Sequence, residues 1–149
     1  MTPKVGIVIL NWNGWRDTLH CIESVRQVEY PQSRVEIIIV DNGSTDDSIV
    51  HLKQNSQITL IENPQNVGFS AGSNVGIKHA LESGCEYIML LNNDTEVSQN
   101  LLVGILEIYS KSSTAGVVSP KILYSDPPDR LWYAGGKFLG PRLIGEMVG

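Results

Sequence analysis

With 149 residues, 42% of them hydrophobic and 18% charged, the chain has room for one domain with a packed core and is too apolar for disorder. Its 11 Lys and Arg against 16 Asp and Glu leave a net charge of -5 with no basic run, which argues against nucleic acid as a partner. The longest apolar runs, Val5 to Leu10 and Ile37 to Val40, fall far short of the roughly 18 residues of a membrane span, so neither a transmembrane segment nor a secretory signal is expected. Val5 to Leu10 reads as the first strand. Behind it Trp15, Leu19, Ile22, Val25 and Val28 recur at helical spacing and stop before Pro31. Val35 to Val40, β-branched and nearly continuous, suits a strand covered on both faces. Ser44 is then placed to cap a helix through Ile49 and Leu52, with Asp47 completing a capping box.

Ile58 to Ile61 reads as a short third strand, followed by a polar loop from Asn63 to Gly72. Ala71, Val75, Ala80 and Leu81 mark a third helix, with Phe69 as a core anchor and Gly84 as its left-handed terminator. Tyr87 to Leu91 is the fourth strand. Ser98 caps a fourth helix carrying Leu101, Leu102, Ile105, Leu106 and Tyr109, and Gly116 to Ser119 reads as a fifth strand. After Pro120 the pattern loosens into a turn at Asp126 to Pro128, with one or two strand-length pieces beyond Leu131. Strands alternating with helices predict an α/β fold with a mostly parallel sheet. Cys21 and Cys85, isolated and without CxxC or His spacing, read as reduced core residues of a cytosolic protein rather than as a disulfide or zinc site.

In such a sheet, ligands gather outside the carboxyl ends of the strands. All four exits are polar here: Asn11, Trp12 and Asn13 after the first strand, Asp41 and Asn42 after the second, Asn63 and Asn66 after the third, and Asn92, Asn93 and Asp94 after the fourth. No G-x-G-x-x-G follows the first strand and no P-loop occurs, which counts against dinucleotide dehydrogenases and P-loop NTPases. An acidic chain that binds a diphosphate needs a neutralising cation. Asp94, flanked by amide side chains, offers the hard oxygen that Mg2+ or Mn2+ prefers.

Four ordered segments, V-I-L-N-W-N-G (Val8 to Gly14), V-D-N-G-S-T-D-D-S (Val40 to Ser48), N-V-G-F-S-A-G-S-N-V-G-I (Asn66 to Ile77) and Y-I-M-L-L-N-N-D-T (Tyr87 to Thr95), resemble family 2 glycosyltransferases of the GT-A fold, especially the rhamnosyltransferase-like branch. The resemblance implies a Rossmann-like GT-A subdomain over residues 1–120 that binds a nucleoside-diphosphate sugar. Leu10, Asn11, Trp12 and Asn13 form a pocket wall, and Asp41 hydrogen-bonds a pyrimidine base. Asn66, Gly68 and Asn74 belong to the second nucleotide-contacting segment. Asn93 reaches ribose or phosphate, and Asp94 holds the metal, although amides at 92 and 93 depart from the usual D-x-D pattern. Alternatives remain at four positions: Asp41 also fits an Asx turn or a hairpin turn through Asn42 and Gly43, Gly68 and Gly72 also fit packing or positive φ, and Trp12 also fits as cover for the sheet edge.

The implied reaction is inverting transfer from a dTDP- or UDP-sugar to an acceptor hydroxyl in polysaccharide or cell-envelope glycan synthesis. A glycan or lipid-linked acceptor at the inner membrane face is the implied partner. No later acid matches the family's general base, and Trp132 to Phe138 resembles the start of the acceptor half. Residues 121–149 therefore read as an incomplete acceptor-side region, truncated at the C-terminus. A non-catalytic nucleotide-sugar binding module is the alternative function.

Overall fold

The structure is a computed structural model that describes residues 2–139 and 144–147. The chain divides into two compact units, residues 1–100 and 101–149. In the first, the elements run β1 (Val5–Asn11), α1 (Trp15–Arg26), β2 (Val35–Asp41), α2 (Ser48–Lys53), β3 (Thr59–Glu62), α3 (Phe69–Glu82) and β4 (Tyr87–Asn92), with one 3-10 turn at Gln32–Arg34. The strands form one sheet in the order β3-β2-β1-β4 with every pair parallel. The two central strands carry the most continuous apolar runs, because both their faces are covered: Ile7, Val8 and Ile9 of β1 and Ile37 to Val40 of β2 are all buried.

α3 lies close against one sheet face through small residues spaced four apart. A Cβ on Gly72 would come within 2.6 Å of Leu10 Cδ1, and one on Gly76 within 2.4 Å of Val8 Cγ1. A Cβ on Gly6 would come within 2.9 Å of Ala80 Cβ. Gly72, Gly76 and Ala80 thus meet Leu10, Val8 and Gly6 in turn. Four residues of helix advance about 6 Å and two of strand about 6.7 Å, so the two periods keep step. The other helices of the unit, α1 and α2, pack on each other and reach the sheet through β1 and β3, burying Cys21, Ile22, Val25 and Leu52.

The second unit holds α4 (Leu101–Lys111), the antiparallel pair β5 (Ile122–Leu123) and β6 (Leu131–Tyr133), and a second antiparallel pair, β7 (Gly136–Leu139) with β8 (Ile144–Met147). The expected strand at Gly116 to Ser119 is absent: that stretch is irregular, and Val117 is 90% exposed. Three apolar-leaning residues before a proline supply no neighbour to pair with, and pairing begins only beyond Pro120. Three strands, rather than one or two, follow Leu131.

Other local expectations change as well. α2 begins at Ser48, with Asp47 at its N-cap and no side-chain capping bond, so Ser44 caps nothing. α4 begins at Leu101, while the Ser98 hydroxyl donates to Asn100. Phe69 is 58% exposed and anchors no core. Gly84 does close α3 at φ +76. Cys21 and Cys85 are free and buried, and burial pushes the Cys21 thiol up to about 11. Among the described residues no helix is long and apolar enough to cross a membrane.

Candidate functional site

Because all four strands of the sheet are parallel, their exits share one rim. Asn11 sits level with Asp41, Leu10 with Asn92, and Asp41 with Glu62. β2 and β4 flank β1, so Asp41 and the residues leaving β4 stand two strand spacings apart, roughly 10 Å. Hydrogen bonds between side chains tie these exits together.

At the centre, the Asp41 side chain is fully buried. Its Oδ2 accepts from Asn11 Nδ2 at 2.7 Å and from the Ser44 hydroxyl at 2.6 Å, and its Oδ1 accepts from the Ser44 backbone N–H at 2.9 Å. The turn weighed as the alternative for Asp41 is therefore present, closed over Ser44. With three donors already engaged and no exposure, this carboxylate reaches a ligand only if the 42–46 loop moves. Asn13 takes φ +54, a left-handed conformation that Asn tolerates better than most residues. In that pose its N–H donates to the Ser44 hydroxyl, and its Oδ1 accepts from the N–H groups of Thr45 and Asp46. Asp46 in turn accepts from the Ser48 N–H at 3.0 Å, and its interaction with Ser48 holds its carboxyl below the usual range.

Asn42, also buried, fastens the β2 exit to the loop before α3. Its Nδ2 donates to Asn66 Oδ1 at 2.9 Å and to the Gly68 carbonyl at 3.3 Å. Its Oδ1 accepts from Asn63 Nδ2 at 3.1 Å and from the Val67 N–H at 3.2 Å. Gly68 has open space around it and is required for its φ of +84, whereas Gly72 serves close packing. Asn74 is exposed on α3, and Leu10 packs against Gly72 and the core, so its side chain is only partly available to a pocket. Beside this network a cleft of about 400 Å³ opens between the β2 and β3 exits, lined by Gly43, Ser44, Thr45, Ile49, Glu62, Asn63 and Pro64. Its volume suits a nucleoside-sized ligand.

At the β4 exit, Asn93 Nδ2 donates to the Thr18 hydroxyl at 3.1 Å and leans on the Gly14 carbonyl. Asp94 is exposed, and among the described residues nothing bonds its carboxylate. Among the described residues no cluster of three His, Cys, Asp or Glu side chains forms a ready metal cage. A lone free carboxylate flanked by amide oxygens still fits Mg2+ or Mn2+, which take few protein ligands when a diphosphate supplies the rest. Trp12 is 56% exposed, with its indole open to stacking at the β1 exit. Thr18, Ser44 and Asn42 were not singled out as site residues by sequence, yet they join the exits. The available signal was a hydroxyl at position 18, on the buried stripe of α1.

The parallel sheet with helices on its faces and polar exits on one rim is the GT-A architecture. Residues 6–146 match the model of Glycosyl transferase family 2, and the chain belongs to that family. It is 29% identical over 129 residues to the low-salt glycan biosynthesis hexosyltransferase Agl10 of Haloferax volcanii, covering 83% of this chain and 38% of that protein. The mannosyltransferase PcManGT from Pyrobaculum calidifontis, solved in complex with GDP-Man and Mn2+, superposes with a TM-score of 0.73 at 19% identity, over 83% of this chain and 36% of that one. S. aureus TarS 1-349 in complex with UDP-GlcNAc superposes with a TM-score of 0.63 at 16% identity, over 80% of this chain and 40% of that one. The chain thus spans about two-fifths of the length of these relatives.

Proposed function

We propose that this chain carries the donor-binding part of an inverting glycosyltransferase of the rhamnosyltransferase-like branch, using a dTDP- or UDP-sugar and a divalent cation. The acceptor is a hydroxyl of a glycan or lipid-linked chain in cell-envelope or polysaccharide synthesis, met at the cytoplasmic face of the membrane. The observation that carries this reading is the rim itself: four exits joined by amide and hydroxyl bonds, with the Asp94 carboxylate exposed and, among the described residues, unpartnered.

Each part of the rim has a chemical task. Trp12 offers a stacking face to the base, and the Asn66 to Asn74 segment, with Gly68, borders the nucleoside. Asp41 holds the Ser44 loop against the β1 exit and reaches the base only through that loop. Asp94, with amide oxygens of Asn92 and Asn93 nearby in sequence, would hold the cation. When bound, that cation neutralises charge on the leaving diphosphate, a Lewis-acid contribution of several kcal/mol. The general base belongs to residues outside the four motifs and is assigned to none here.

A thermal-shift titration with UDP, dTDP and GDP, each with Mn2+, Mg2+ or EDTA, tests the reading. Ligand at about 100 times its dissociation constant stabilises a fold by about 2.7 kcal/mol, which is readily seen. A pyrimidine diphosphate with metal should give the largest shift, and Asp94→Ala should abolish the metal-dependent part. Asp41→Asn should weaken binding with or without metal. A larger response to GDP removes the pyrimidine assignment, and no response to any diphosphate removes the donor site. Binding with metal but no turnover of a labelled donor leaves a binding module.

A further inference from the structure

The buried bonds beneath the rim have a direction. Asp41 can only accept, so Asn11 must turn its NH2 toward it, which leaves Asn11 Oδ1 facing Thr18. That oxygen, fully buried, needs a donor, and the Thr18 hydroxyl supplies its single proton at 2.7 Å. The Gly14 carbonyl also lies 3.0 Å from that hydroxyl, but it is already satisfied by the Thr18 backbone N–H, whereas among the described residues Asn11 Oδ1 has no other donor, so the shorter bond to Asn11 takes the proton. With its proton spent, the Thr18 oxygen can only accept from Asn93, whose Nδ2 lies 3.1 Å away. The acceptor-only carboxylate of Asp41 is thus passed on through Asn11 and Thr18 as a preference for the NH2 end of Asn93 pointing inward, and the Gly14 carbonyl, 3.4 Å from Asn93 Nδ2, favours the same end.

We propose that Asp41, Asn11 and Thr18 form a positioning relay that holds the Asn93 amide with its NH2 inward and its carbonyl oxygen outward, adding an acceptor oxygen to the cation-binding exit beside Asp94. Among the described residues nothing donates to Asn93 Oδ1, so it is free for a ligand. Gly14 leaves room for the pose, since a Cβ there would come within 2.9 Å of Asn93 Nδ2, and its carbonyl accepts from that nitrogen at 3.4 Å. The use of that oxygen by a cation rests on the donor-site reading above; the orientation itself does not.

Two readouts test the relay. The side-chain amide of Asn93, assigned by NMR, should give a distinct, slowly exchanging signal in the unsubstituted chain and in Thr18→Ser, and lose it in Thr18→Val, which keeps shape but not the hydroxyl. Affinity for UDP in the presence of Mn2+ should fall roughly tenfold in Thr18→Val, the scale of one lost hydrogen bond, and recover in Thr18→Ser. In an Asn93→Ala background, which leaves the buried members of the relay paired, Thr18→Val should cost no further affinity. A Thr18→Val chain that keeps the Asn93 signal overturns the relay, as does equal loss in Thr18→Val and Thr18→Ser. If the unsubstituted chain ignores UDP with Mn2+, the donor-site reading falls, and the amide signal alone decides the orientation.

Discussion

Asn42 shows how much of the rim depends on single side chains whose partners lie far along the sequence. Only 2% exposed, it uses both donors and its carbonyl oxygen to bond four groups between Asn63 and Gly68. Truncation would leave the Asn63 amide and the Val67 N–H without these bonds, while Asn66 Oδ1 keeps the Gly68 N–H and the Gly68 carbonyl keeps the Gly72 N–H; each donor left unpaired costs about 1–3 kcal/mol if water cannot reach it. We expect Asn42→Ala to lower the unfolding free energy by about 2 kcal/mol in urea titration, and to loosen the 63–68 loop in hydrogen exchange. A variant as stable as the parent would show that water replaces all four bonds. In the sequence, Asn42 was legible only as a polar strand exit before Gly43, because an amide next to glycine looks the same whether it makes a turn or a distant network. Asp41 was legible as important, but a motif cannot say that Ser44 closes over it. Thr18 carried no motif at all.

At the scale of elements, what could be read was hydrophobic and what could not was small. β1, β2 and β4 were placed within a residue of their ends because each is a continuous apolar run; in β1 and β2 the run is buried on both faces, whereas β4, at the sheet edge, is only partly buried. α3 was found from Ala71, Val75, Ala80 and Leu81, yet its inward stripe is Gly72, Gly76 and Ala80, and Leu81 is 61% exposed. Val75 and Ala80 do face the core, but glycine gives no hydrophobic signal, so periodicity misses much of the packed stripe when a helix packs through its backbone. The Gly116 to Ser119 stretch failed for the opposite reason: it is apolar enough for a strand but has no neighbour. The close approach of α3 makes a sharp prediction. A methyl at position 76 would lie 2.4 Å from Val8 Cγ1 and 3.0 Å from Val40 Cγ2, both on central strands that cannot yield easily. Gly76→Ala should therefore destabilise the first unit by about 1–3 kcal/mol despite the higher helix propensity of alanine. Gly104→Ala, in α4 with nothing within 4 Å of its Cβ, should stabilise its own unit by about 0.5–1 kcal/mol. Denaturation of both variants checks the pair, and a neutral Gly76→Ala would mean that α3 can lift off the sheet.

Across the whole sheet the two rims use different chemistry. The exits hold neutral amides and hydroxyls around one buried carboxylate, whereas the opposite rim is an ion-paired knot: Lys4 Nζ lies 2.7 Å from Glu36 Oε2, and His79 Nε2 lies 3.0 Å from Glu36 Oε1. The Lys4 ammonium also donates to the Ser83 carbonyl, and the Cys85 thiol faces Glu36. The densest charge cluster thus lies where no motif falls, while the exit rim carries the pair of Lys53 with Glu62 at the end of β3, 2.9 Å apart. Burial alone would push the Glu36 carboxyl up, but hydrogen bonds and charge from Lys4 and His79 outweigh it and bring it below its ordinary 4.5. The fold consequently favours the ionised form. Its contribution is complete above 4.5 and is lost as pH falls through the lower value held in the fold. Lys4 behaves in mirror image: raised above 10.5 chiefly by its bond to Glu36, it contributes fully below 10.5 and fades as pH rises through the folded value. Glu36→Gln should therefore lower stability at neutral pH by up to about 1 kcal/mol, the scale of a partly exposed ion pair, and converge with the parent at acid pH below the folded value, where Glu36 is itself uncharged. Urea titrations from neutral to acid pH would measure this directly. Parallel curves for the two proteins, with the same deficit at every pH, would show that position 36 acts through packing and that the knot contributes no charge-dependent stability.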